Sequence, residues 1–373
     1  EVGHTVGVET TTGPLGQGFA NGGGMALAER YLRTHFGEDL VNHHIYAIVS
    51  DGDIMEGIAS EAASLAGHLK LGKIVYLYDD NSITIDGSTD ISFTEDRAAR
   101  FEAMGWHAQT VDGHDHDAIA AAIAAGRDET ERPSIVCCRT HIGHGSPNKQ
   151  DSSSSHGAPL GAEEIVLTKK GLGMDPERHF HVSEEVRAHF VKSTALHQVS
   201  RMEWEHRLKS SDKAEEFAQW HAPVDVDAID WPEFEAGGSI ATRKASHKAL
   251  NAAAAVVPQL LGGSADLAGS NGSLLNGEDF LSGDNFNARN LTFGVREHAM
   301  ASMCNGMALH GGLLPYCATF LVFHDYMRPA VRLTSLMEQQ VVYIYTHDSV
   351  FVGEDGPTHQ PIEQMMAMRL IPG

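Results

Sequence analysis

Positive charge is scarce in this chain. Lysine and arginine total 27 against 50 acidic residues in 373, a formal charge of −23. That field repels polyanions and argues against nucleic acid and anionic membrane surfaces as partners. Any anionic ligand must be held by local cations. Long apolar runs are missing too: none approaches the roughly 18–20 residues of a membrane helix. Cysteine is sparse. The four present include adjacent Cys137 and Cys138 in an apparent strand, and they offer neither a disulfide framework nor zinc spacing. They read as reduced core residues, so a cytoplasmic setting is expected. No signal peptide is expected ahead of Glu1. Histidine, by contrast, is abundant at 23. The pairs His43-His44, His114/His116 and His179/His181 have no metal partner at a recognisable spacing and receive no role.

The most informative stretch runs from Ile45 to Gly87. Ile45–Ser50 is a short apolar run that stops at Asp51-Gly52, as a buried strand ending in a turn does. Ile54–Lys70, rich in Ala, Leu, Met and Glu, predicts a helix. Ile74–Tyr78 is a second apolar run that ends in Asp79-Asp80-Asn81. Strand, helix and strand at this spacing form a βαβ unit with parallel strands and a right-handed crossover. Both polar tips then lie at the C-terminal sheet edge, where open α/β sheets bind ligands. Asp51 offers a carboxylate, Asn81 an amide oxygen and Ile83 a backbone carbonyl. Three hard oxygen donors on neighbouring loops suit Mg²⁺ or Ca²⁺, with phosphate and water completing the shell. Either pair alone is an ordinary turn; together they favour a metal–diphosphate site.

Elsewhere the alternation continues. Helix is predicted from about Leu15 to Leu32, and the Gly22-Gly23-Gly24 run inside it implies close packing of backbone against a neighbour, another subunit being one candidate. Thr94–Met104 and Asp115–Ala125 predict helices; His107–Val111 and Ser134–Thr140 predict strands. His141–His156 is a long Gly- and Ser-rich loop whose Asp151–Ser155 run suggests mobility. Ala162–Pro232 is charged, helical in pattern and without strand signals. From Gly238 a second α/β pattern begins. Helices are expected at Thr242–Val257, Glu297–Leu309 and Phe320–Met337. Strands are expected at Gln259–Gly263, Leu291–Phe293, Leu314–Thr319 and Val341–Tyr345. The economical architecture is α/β, with two doubly wound parallel-sheet domains (1–161 and 238–373) joined by a helical linker (162–237). GPLGQGFAN lacks the third glycine of a dinucleotide fingerprint and follows no clear strand, so that reading is rejected.

SDGDIMEG followed by YDDNSITIDG resembles the thiamine-diphosphate motif, and more narrowly the transketolase family, with Ser50 in place of the usual first glycine. GVETTTGPLGQGFAN, SPNK, SHGAPLG, ATRKAS, GGSADLAGSN, GVREHAM and THDSVFVGEDGPTHQP resemble transketolase segments in the family's order. The resemblance implies two domains of the thiamine-diphosphate-binding type. It also implies a fragment, beginning inside the first domain, stopping inside the second and lacking a third.

The implied activity is transfer of a two-carbon ketol unit from a ketose phosphate to an aldose phosphate, with thiamine diphosphate and Mg²⁺ or Ca²⁺, in a homodimer with active sites at the subunit interface. Asp51, Asn81 and Ile83 would hold the metal. Gly13, Leu15, Gly52, Glu56, His156, Asp266, Phe320 and Phe323 would contact the cofactor. Glu297 would bond the pyrimidine ring nitrogen, and its burial should raise its pKa. A glutamate opening a helix is also common without catalysis, and a Phe pair three residues apart equally suits a helix's apolar face. Substrate would fall to His156, His347, His359 and Asp355, with Arg243 and Ser270 on its phosphate. Dihydroxyacetone synthase, 1-deoxyxylulose-5-phosphate synthase and a non-catalytic relative stay open.

Overall fold

Two four-stranded parallel sheets organise the chain, one in each half. A computed structural model describes residues 1–373. The first half runs α1 (Gln17–Phe36), β1 (Ile45–Ser50), α2 (Asp51–Met55), α3 (Gly57–His68), β2 (Ile74–Asp80), a small hairpin of β3 (Ile83–Thr84) and β4 (Gly87–Ser88), α4 (Arg97–Ala103), β5 (His107–Asp112), α5 (His116–Asp128) and β6 (Ser134–Arg139). Next come the helices α6 (Ala162–Gly171), α7 (Glu184–Ser210) and α8 (Ala214–Trp220). The second half runs α9 (Thr242–Val256), β7 (Leu260–Ser264), α10 (Ala268–Asn271), β8 (Asn290–Thr292), α11 (Glu297–His310), β9 (Leu314–Phe320), α12 (His324–Leu336), β10 (Val342–Thr346) and α13 (Gln364–Arg369). Strand order is β1-β2-β6-β5 in the first sheet and β10-β9-β7-β8 in the second. Every pairing within these two sheets is parallel. This is the α/β class expected from the alternation of apolar runs.

Three local expectations are corrected. The helix expected over Ile54–Lys70 is two helices, because Glu56 takes an extended backbone (ψ 135°) between α2 and α3. The helix expected from Phe320 starts at His324: Phe320 still belongs to β9, and Leu321–Phe323 form a 3₁₀ turn. β1 is not buried on both faces. It lies at the sheet edge, and Ile48 is 81% exposed. The Asp151–Ser155 run is also cross-braced. Asp151 N–H donates to the Ile142 carbonyl at 2.9 Å, the Ser155 hydroxyl to the Lys149 carbonyl at 3.1 Å, and a 3₁₀ turn spans Ser153–Ser155.

The glycine run in α1 does meet a close neighbour, but one from its own chain. A Cβ on Gly24 would sit 2.0 Å from the Met303 carbonyl oxygen, and one on Gly306 would sit 1.9 Å from that of Asn21. So α1 and α11 approach backbone to backbone, and the two α/β halves share one core. That core holds Leu27, Leu32 and Tyr76 from the first half with Met300, Met303 and Cys317 from the second. All four cysteines are buried and free, as expected.

Adding a methyl group at Gly24 forces backbone apart. Gly24→Ala should lower stability by about 1–3 kcal/mol, read by denaturant unfolding. Glu29 supplies a pH test. It is wholly buried in α1, with Arg33 Nε 3.1 Å away. Burial outweighs Arg33 and pushes its carboxyl up to about 7. The folded state therefore holds a proton that the unfolded chain releases above about 4.5. Stability should fall as pH rises from about 4.5 to about 7, and Glu29→Gln should flatten the melting temperature across that window.

Candidate active site

The parallel register sets Ser50 opposite Asp79, so the tips of β1 and β2 end side by side. Ser50 has φ −112°, which serine adopts without strain, and it N-caps α2. Asp51 is the first residue of α2, only 3% exposed. Tyr78 reaches across from β2 and donates its phenol proton to Asp51 Oδ1; Asp80 Oδ1 lies 3.3 Å from the same phenol. Asp51 Oδ2 is buried with no hydrogen-bond partner. Burial raises the carboxyl's pKa while the Tyr78 hydrogen bond pulls it down. Asp80 is neutralised by Arg97 at 3.0 Å and Arg139 at 2.9 Å. Asn81 Oδ1 accepts from the Ile83 N–H at 3.0 Å, which shapes the loop into β3. Asn81 and His156 line one open cavity with Ser50 and Thr140.

Gly13 and Leu15 lie on the loop ahead of α1. Leu15 rests against Gly52, since a Cβ there would meet Leu15 Cδ1 at 2.9 Å. Glu56 is exposed at the junction of α2 and α3. Thus Asp51, Gly52, Asn81, His156, Gly13 and Leu15 gather at one sheet edge.

A second group assembles at the edge of the other sheet. Phe320, 7% exposed, ends β9, and the His347 ring stacks on it at 3.7 Å. Phe323 lies 5.9 Å from Phe320 and 5.4 Å from the His359 ring. Arg243 Nη1 is 3.3 Å from His347 Nε2. Burial and then Arg243 lower the His347 pKa, with Asp355 opposing. Ser270 is exposed in α10, whose capping Gly272 packs against the Arg243 carbonyl. Asp266 is exposed just past β7. Glu297 opens α11, 9% exposed, with its pKa raised by burial. Within one chain no hydrogen bond or ring contact joins this group to the first.

Backbone strain marks the same edges. Ser82, Asp266 and His347 each follow a strand end and each adopt positive φ (61°, 61° and 53°). Such conformations cost of order 1–3 kcal/mol and collect at functional sites.

The family model of the transketolase thiamine-diphosphate-binding domain matches residues 1–225, and that of the transketolase pyrimidine-binding domain matches residues 238–373. This chain belongs to the transketolase family. A transketolase from Halalkalibacterium halodurans is 50% identical over all of this chain and 58% of its own length. The chloroplastic transketolase of Zea mays is 47% identical over 99% of this chain and 56% of its own. Among solved structures, the Campylobacter jejuni transketolase superposes with TM-score 0.95 at 40% identity, covering 99% of this chain and 57% of that one. A Pichia stipitis transketolase in complex with sedoheptulose 7-phosphate gives 0.92 at 39%, covering 98% and 57%. The chain thus spans a little over half the length of these transketolases.

The donors present fit a hard cation: one buried carboxylate oxygen without a partner stands at the tip beside Asn81. Several contributors escaped the sequence reading. Tyr78 orients Asp51, and Arg97 neutralises Asp80 beneath it. Glu61 accepts from the Ala299 N–H at 2.9 Å and senses Glu297, so two acids from different halves share the start of α11. Tyr326 extends the aromatic wall 5.9 Å beyond Phe323. The one usable signal was Tyr78 itself, since a tyrosine inside an apolar strand needs a polar partner.

Arg97→Met would leave the Asp80 carboxylate with only one cation, the half-exposed Arg139. Stability should fall by about 3 kcal/mol in thermal or chemical unfolding, the low end for a broken buried pair, since Arg139 and the Tyr78 phenol stay beside the carboxylate.

Proposed function

We propose that the full protein is a transketolase in activity. It would transfer a two-carbon ketol unit from a ketose phosphate to an aldose phosphate, using thiamine diphosphate and Mg²⁺ or Ca²⁺. The observation that carries this reading is the unpartnered Asp51 oxygen at one sheet edge, matched by the Phe320–His347–Arg243 group at the other.

Thiamine diphosphate, when bound, supplies the electron sink for breaking and forming the carbon–carbon bond. The protein's own residues bind and move protons. Asp51, Asn81 and the Ile83 carbonyl hold the cation. Gly13, Leu15, Gly52, Glu56, His156 and Asp266 line the cofactor, and Phe320 and Phe323 give its flat ring an apolar face. Glu297, whose pKa burial raises, can bond a ring nitrogen of the pyrimidine. His347 and His359 exchange protons with sugar hydroxyls, a task imidazole side chains suit. Asp355 and His156 bind hydroxyls. Arg243 and Ser270 hold the terminal phosphate, the local cation that an otherwise acidic chain needs.

The two groups do not touch within one chain, which supports a homodimer in which each site takes its parts from two subunits. Residues 1–161 and 238–373 are the proposed diphosphate and pyrimidine domains, with 162–237 between them. No helix is long and apolar enough to cross a membrane; a cytoplasmic location belongs with this proposal.

Calorimetric titration of the full-length protein with thiamine diphosphate and Mg²⁺ tests the reading. Asp51→Ala should weaken metal-dependent cofactor binding about 100-fold or more. Glu297→Ala should leave binding within about tenfold and lower turnover by about 10²–10⁴. Equal loss of affinity in both would contradict the roles given. A donor and acceptor panel separates related activities: product from pyruvate, or transfer to formaldehyde with a poor rate on ribose 5-phosphate, would overturn the choice of reaction.

A further inference from the structure

Asp53 sits two residues past the proposed metal ligand Asp51, and its carboxylate is fully employed. Oδ2 accepts from the Ser50 N–H and the Ser50 hydroxyl, each at 2.9 Å. Oδ1 accepts from the Gly16 N–H, also at 2.9 Å. The Ser50 N–H bond, with the Asp53 N–H donating to Ser50 Oγ at 3.3 Å, makes the capping box of α2. The Gly16 bond reaches 37 residues back to the loop carrying Gly13 and Leu15. Capping alone does not call for it.

The loop is built to receive that bond. Gly16 has φ +77°, and a Cβ there would sit 2.7 Å from Ile58 Cγ2 and 2.8 Å from Glu56 Cβ. Bare backbone is thus pressed onto the α2–α3 junction. Leu15 rests on Gly52 from the other side. Gly16 itself is the N-cap of α1 and has no side chain with which to cap it. The Asp53 carboxylate is the charged contact that fixes where the loop stands relative to the β1 tip.

We infer that Asp53 is a positioning residue that locks the Gly13–Gly16 loop to the metal-bearing tip of β1, so that the ring of thiamine diphosphate and its diphosphate are gripped at a fixed spacing. This rests on the cofactor reading above. A charge-assisted hydrogen bond is stronger than a neutral one, and it holds the loop before the ligand arrives, which reduces the ordering cost of binding.

The test compares two probes on the full-length protein with Mg²⁺: thiamine diphosphate, which uses both tip and loop, and inorganic pyrophosphate, which uses the tip alone. Asp53→Ala should weaken thiamine diphosphate about tenfold and leave pyrophosphate within about twofold. Asp53→Asn keeps a neutral acceptor for Gly16 but turns its amide NH2 toward the Ser50 N–H, so it should recover thiamine diphosphate only in part, to within about fivefold of wild type. Should the alanine variant fail to fold, Asp53→Ser, whose hydroxyl is too short to reach Gly16, takes its place. Parallel loss of both probes assigns Asp53 a merely structural part and overturns the inference, as does no loss of either, or an asparagine variant no better than alanine. A wild-type protein that binds pyrophosphate but gains nothing from the thiamine ring overturns the cofactor reading itself.

Discussion

The side-by-side parallel pairing of β1 and β2 is the constraint on which the candidate site depends. It brings a carboxylate from one strand tip and an amide from the next to one edge without any long-range search by flexible loops. Parallel strands end in the same direction, so their polar tips must share solvent, and helix α2 starts where β1 stops. Placing an acid at that start sets it against the helix's positive end. The site nevertheless buries two acids, Asp51 and Asp80, close to one phenol. Arg97 and Arg139 neutralise the second and leave the first for a ligand. That division of labour explains why one aspartate is saturated with partners and the other keeps a bare oxygen.

Much of this was legible because short apolar runs that end in Asp-Gly or Asp-Asn carry both a strand signal and a chemical one. Ile45–Ser50 and Ile74–Tyr78 gave strand, tip and donors together. Helix breaks were less legible. Glu56 is a good helix former, and only its packing against Gly16 shows why the backbone turns extended there. Phe320 likewise reads as helix by its three-residue spacing from Phe323, but the sheet claims it first through pairing with Thr346.

What the sequence could not show is which distant residues meet. Tyr78 with Asp51, Glu61 with the start of α11, and Asp53 with Gly16 depend on tertiary approach. Residue type narrows such partners without naming them. The histidines make the same point. His43, assigned no role, lies with its Nε2 2.9 Å from that of His310, tying the start of one sheet to a helix of the other half. His114, also without a role, stacks on His144 and accepts from the His141 N–H, which anchors the loop that carries His156. Both are structural tasks that no spacing rule reveals.

The backbone contact between α1 and α11 has a temporal side. Asn21 and Gly306 emerge from a ribosome far apart, a delay of roughly 15–60 s at ordinary elongation speeds. Until then the glycine face of α1 has nothing to lie against. A nascent first half must wait with that groove open, and contacts so distant along the chain form slowly even after release. Chaperone dependence during synthesis would follow from this one helix pair.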